Sequence, residues 1–159
     1  MFTSDIQPVL QDIANYFAEL HLTLLDEYEA FTRGDTKAML QAGNTEYRLI
    51  EILDDLKLEQ SNLLEYAGLN QNQANMTDYF ALQDESTQHT LESLWHRIVK
   101  LEQNCQRLDK INNLIIKNNR HQFEPTIRLE QSQLPRAAAQ SARITTVYDP
   151  SSSFQAIAW

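Results

Sequence analysis

The sequence holds one cysteine, Cys105, four prolines and three glycines in 159 residues. A single thiol excludes an intramolecular disulfide and any cysteine-based metal knuckle. So little glycine and proline excludes a turn-rich β-sandwich or barrel and leaves no glycine-rich phosphate loop. Bases are scarce too, with 13 Lys and Arg against 22 Asp and Glu and a net charge of −9. That balance argues against nucleic acid or an anionic membrane as the partner. No apolar run approaches the roughly 20 residues that span a bilayer. The opening Met1-Phe2-Thr3-Ser4-Asp5 carries an acid where a signal peptide carries bases. The expectation is a cytoplasmic, all-α protein with no direct membrane insertion.

What is present is helical periodicity. No proline interrupts the chain between Pro8 and Pro125. Leu10, Ile13, Phe17, Leu20, Leu24, Tyr28 and Phe31 recur at three- and four-residue steps, which predicts a first helix over about 8–32. Gly34 suits the left-handed residue that ends a helix, and Asp35 offers a carboxylate to cap the next. A second helix over about 36–67 carries Met39, Ala42, Leu49, Leu53, Leu56 and Leu63 on its stripe, and Gly68 closes it. After a connector rich in Asn and Gln, Tyr79-Phe80-Ala81-Leu82 predicts a helical turn or two that plugs the end of the bundle. A third long helix, about 87–124, places Leu91, Leu94, Ile98, Leu101, Cys105, Leu108 and Ile115 at coiled-coil spacing, with Asn112 on the seam. Its roughly 38 residues would span about 57 Å. The first hairpin is shorter, so the last turns protrude or need a partner.

The expected architecture is therefore an antiparallel bundle of three long helices plus a short connecting helix over residues 1–131. A flexible C-terminal tail over 132–159 follows. Ala, Ser and Gln dominate that tail, and Leu134, Ile144, Val147, Tyr148, Phe154, Ile157 and Trp159 are too scattered to build a core. It either orders on a partner or docks on its own bundle. Charge is uneven as well: residues 1–80 hold 14 acids and 4 bases, while residues 81–120 hold 5 and 6. Such asymmetry fits a partner surface, and fits a solvated face equally.

Catalytic signatures are missing. There is no Gly-x-Ser-x-Gly, no Walker loop and no Cys/His pair with a third member. His89 and His96 lie seven residues apart beside Glu85 and Glu92. None of the four histidines, however, has the Glu three residues before it that di-metal bundles use, and there is no HExxH. His89-Thr90-Leu91-Glu92-Ser93 is superficially similar to the phosphoacceptor motif of histidine phosphotransfer domains. Glu92 stands where those domains place Lys, and its charge would repel a phosphoryl group. Cys105 falls on an apolar seam, the setting of an inert buried thiol. The chain is expected to be no enzyme and to use no metal or cofactor.

Three stretches taken in order carry a family likeness. The first is Leu24-Leu25-Asp26-Glu27-Tyr28-Glu29-Ala30-Phe31, followed by Arg33-Gly34-Asp35 and a second amphipathic helix. The second is Leu108-Asp109-Lys110-Ile111-Asn112-Asn113-Leu114-Ile115, and the third is Val147-Tyr148-Asp149. Over roughly residues 20–150 this order resembles the flagellar export chaperones of the FlgN type, with their opening hairpin, their Asn residues before a Leu-Ile pair and their Tyr-Asp tail element. Pro150 and Ser151 stand where that family often has a small residue and Gly, so the tail match departs from the pattern.

The resemblance implies a chaperone of the flagellar type III secretion system, working without ATP hydrolysis. It would bind the hook–filament junction proteins FlgK and FlgL, prevent their premature assembly and deliver them to the export gate protein FlhA. By position, Leu108, Ile111, Asn112, Leu114, Ile115 and Phe123 would bind the client, and Tyr148 with Asp149 would contact the gate. The residues themselves leave another assignment open, because Ile111, Leu114 and Ile115 can equally pack on the chain's own first two helices. Tyr148 can likewise be an ordinary tail residue. Further readings remain: a FliT-like chaperone for the filament-cap protein or a non-enzymatic helical adaptor, with a histidine phosphotransfer domain a distant third.

Overall fold

Each long helix begins on an aspartate. In the computed structural model, which describes residues 5–69 and 76–119, Asp5 Oδ1 accepts the Gln7 N–H at 3.0 Å and opens α1, Ile6–Arg33. The helix thus starts two residues before the expected position, with Pro8 inside its first turn, where a missing N–H costs nothing. Gly34, at φ 65°, ends α1 in the left-handed conformation. Its neighbour Asp35 accepts the Ala38 N–H at 3.0 Å and opens α2, Thr36–Tyr66. Both orphan ends of the hairpin are satisfied within two residues, so the reversal is tight. The short α3, Met76–Ala81, buries Met76 and Phe80 and leaves Leu82 exposed. Asp84 caps α4, Glu85–Asn118, by accepting the Thr87 N–H at 3.0 Å. The expected run of this helix to 124, with Pro125 and the tail over 132–159, lies outside the described residues.

Four helices and no strand occur among the described residues, so the fold is all-α. α1 is the central member, packing along α2 on one side and α4 on the other. Two hydrogen bonds set the register with α4. Cys105 Sγ donates to the Phe17 carbonyl at 3.6 Å, and Asn112 Nδ2 donates to the Leu24 carbonyl at 3.1 Å. Both pairs are separated by 88 residues, so α1 and α4 run parallel, with α2 antiparallel to them. The main core joins Leu10, Ile13, Phe17, Leu20 and Leu24 of α1 to Leu49, Ile50 and Leu53 of α2 and to Leu91, Trp95 and Ile98 of α4. A smaller cluster of Ala30, Phe31 and Met39 closes the hairpin end, with Ile115 and Ile116 packed against it.

The seam of α4 differs from the expected one. Leu91, Ile98, Cys105 and Asn112 are buried, but the alternate positions are Trp95, Glu102 and Asp109 rather than Leu94, Leu101 and Leu108, which are half-buried. Two heptad phases share the same four residues. The structure takes the one that places the indole, the largest fully buried side chain, inside the core. On α1, Tyr28 is likewise 38% exposed, and Glu27 takes the inward position.

Candidate functional site: the outer face of α1 and α4

Successive helical residues advance by about 100°, so flanks can be assigned from the two interhelical hydrogen bonds. Relative to Cys105 and Asn112, Glu102 and Asp109 turn towards α2, where Lys57 acts electrostatically on Glu102. Leu101, Leu108, Ile111 and Ile115 turn the other way. On α1, Thr23 and Ala30 lie on the α2 side of Phe17 and Leu24, while Leu25 and Tyr28 lie opposite. The two apolar sets border one groove on the side of the α1–α4 pair remote from α2.

Within that groove the apolar exposure is concentrated in one band. Leu25 is 37% exposed and Ile111 37%, and Leu114 on the adjoining solvent face reaches 56%. The 88-residue offset sets Ile111 level with Thr23 and Leu114 level with Asp26, so the exposed residues of both helices occupy about two turns. Leu25 and Ile111 border the groove, and Leu114 stands on the face of α4 turned away from α1, beside Ile111. Leu108 and Ile115 are half-buried at the groove edge, Leu108 packed against the main core and Ile115 against Ala30, Phe31 and Met39 of the first two helices. Asn112 is not part of this surface: it is buried at 1% exposure, and its side-chain amide is spent on Leu24. Phe123, Tyr148 and Asp149 lie outside the described residues.

Periodicity alone missed a second feature, a layer of buried polar side chains on the α2 flank. Glu27, Glu46, Glu102 and Asp109 are all at or below 8% exposure. Burial raises the pKa of Glu27, which is hydrogen-bonded to Glu46, and pushes that of Glu102 up to about 8 against the opposing charge of Lys57. Glu102, Glu46 and Asp109 also stand close enough to Cys105 to add to the burial that pushes its thiol upward. The signal was present in the sequence, since Glu102 and Asp109 are spaced one heptad apart and flank Cys105.

No motif for catalysis gathers around these groups. Among the described residues, no group of three His, Cys, Asp or Glu can hold a metal ion. His89 and His96 are exposed, and Glu92 accepts from Gln88 at 2.8 Å. No helix among the described residues is long and apolar enough to cross a membrane. A shallow cleft of about 290 Å³ lined by Thr23, Asp26, Arg33, Ala38, Gln41, Ala42 and Thr45 opens on the α1–α2 side.

Neither the curated proteins nor the solved structures compared with the chain include a match. The family model described as "FlgN protein" matches residues 1–141, which takes in every helix described above. The chain belongs to the FlgN family of flagellar export chaperones.

Proposed function

We propose that the protein is a cytoplasmic chaperone that holds the terminal segments of the hook–filament junction proteins FlgK and FlgL and hands them to the export gate protein FlhA. The carrying observation is the family match over residues 1–141, joined to an apolar band on a face that no described helix covers. An amphipathic client helix laid along Ile111 and Leu114, with Leu108 and Ile115 at the groove edge, would bury surface that is now wet, and Phe123, outside the described residues, is proposed as a further client contact. Each fully buried Leu or Ile side chain contributes about 1.5–3 kcal/mol before ordering costs are subtracted. Asn112 serves this reading indirectly, by fixing α4 on α1 so that its neighbours face outward. Tyr148 and Asp149 are the proposed contacts to FlhA. Binding and release by such a surface need no bond-making step, consistent with a chaperone family rather than an enzyme family.

Co-purification of the full chain with FlgK and with FlgL, followed by size exclusion with light scattering, tests the reading. A complex of defined stoichiometry with either client supports it. No complex with either at tens of micromolar refutes the client assignment and leaves the family membership standing.

A further inference from the structure

The core is chemically split along its length. Towards the Pro8 end it is made of Ile6, Leu10, Ile13, Leu53, Leu91, Trp95 and Ile98. Towards the Gly34 end, where α4 runs from Glu102 to Asn118, four acids and Asn112 are packed inside beside Leu24 and the smaller apolar cluster of Ala30, Phe31 and Met39. Glu27 of α1 is hydrogen-bonded through its side chain to Glu46 of α2. Two ionised carboxylates have no proton to share, so that bond requires one of the pair to be protonated. The second carboxyl oxygen of Glu27, Oε2, has no partner, which makes a full charge there costlier still.

We propose that the half of α4 from Glu102 to Asn118 is a proton-held clasp, docked on α1 and α2 only while Glu102 and the Glu27–Glu46 pair each retain a proton. It opens as those protons leave, while the apolar half of the bundle stays folded. The groups facing the layer are Glu27 from α1, Glu46, Asp54 and Lys57 from α2, and Glu102, Cys105 and Asp109 from α4. Lys57 is the cation among them. Burial lowers its pKa, the charges of Glu102 and Asp54 oppose that, and it offsets at most one of the acids.

The sign follows from linkage. Glu27 and Glu102 have folded-state pKa values raised above the ordinary carboxyl value of 4.5. The docked state therefore binds more protons than the open one, and docking is strongest in acid. It weakens as pH climbs from the ordinary carboxyl range to about 8, the value for Glu102. Within that window the opening constant rises about tenfold per pH unit for each proton released. The inference stands whether or not FlgK or FlgL is the client.

Amide hydrogen exchange of the full chain by mass spectrometry, from pH 6 to pH 8 and corrected for intrinsic rates, reads this directly. Peptides covering 102–118 are expected to gain at least tenfold in opening constant, and peptides covering 85–98 to change less than threefold. Glu27→Gln combined with Glu102→Gln, which fixes neutral side chains in place, should flatten the 102–118 response. A uniform pH response along all of α4, no response in the wild-type chain, or an unchanged slope in a folded double variant would each overturn the proposal. The wild-type comparison decides the matter alone if the variant does not fold.

Discussion

Asn112 offers a sharp test, because two substitutions at this one position should move stability in opposite directions. Its Nδ2 donates to the Leu24 carbonyl at 3.1 Å, while its Oδ1 is buried without a partner. Asn112→Leu keeps the branching at Cγ and removes both polar groups. One neutral hydrogen bond contributes about 1 kcal/mol, and an unmade buried acceptor costs about 1–3 kcal/mol. The Leu24 carbonyl, within α1, keeps its own helical bond. The balance is a gain of about 1 kcal/mol. Asn112→Asp instead adds a carboxylate to a half-core that already holds Glu27, Glu46, Glu102 and Asp109. A loss of about 3 kcal/mol or more at pH 8 is expected, shrinking in acid as the carboxyl protonates. Urea unfolding followed by circular dichroism at 222 nm measures both. A Leu variant destabilised by more than about 1 kcal/mol would refute the argument, since the amide would then be giving more than one ordinary hydrogen bond.

Other positions probe other links. Trp95, 1% exposed in the core half towards Pro8, should cost about 3–5 kcal/mol when changed to Ala, seen as a large drop in thermal midpoint. Asp35→Ala removes the cap on Ala38 and should cost about 1 kcal/mol, while Gly34→Ala, forced to φ 65°, should cost a similar amount; urea midpoints separate both from the wild type. Cys105, fully buried with its thiol pKa pushed up by burial and then by Glu102, should resist a thiol reagent in native buffer at pH 6, where this half of α4 is docked, and react at once in denaturant. Fast labelling of the native chain would contradict the packing of α4 on Phe17.

The parts of the fold that could be read from sequence are those decided by local chemistry. Gly34 and Asp35 specify a reversal by themselves, one through its conformation and the other through its carboxylate. Tyr79–Leu82 signals a short plug because apolar residues cluster between polar stretches, and Phe80 is indeed buried. The phase of α4 was not legible in the same way. Leu91, Ile98, Cys105 and Asn112 belong to two overlapping heptads, and a rule that puts leucine inside selects Leu94, Leu101 and Leu108. The neighbours decide otherwise. Trp95 is drawn into the main core, Lys57 stands by Glu102, and the leucines are left to flank α1 on the outside. Glu102 and Asp109 could have been found from their heptad spacing around Cys105, but Glu27 and Glu46 could not, since nothing within α1 alone says that Glu27 will meet Glu46. The candidate surface was half legible: Ile111 and Leu114 are exposed, whereas Asn112 is an internal fastener.

The central claim is that the outer α1–α4 face holds an export client, and calorimetric titration of the full chain with FlgK tests it most directly. The comparison is between the wild type and the double variant Ile111→Asp with Leu114→Asp. Both residues are solvent-exposed, so the variant should keep its urea midpoint within about 0.5 kcal/mol of the wild type. Losing two apolar contacts of about 1.5–3 kcal/mol each predicts affinity at least a hundredfold weaker. A folded variant that binds FlgK as tightly as the wild type would contradict the account and move the client to another face of the bundle.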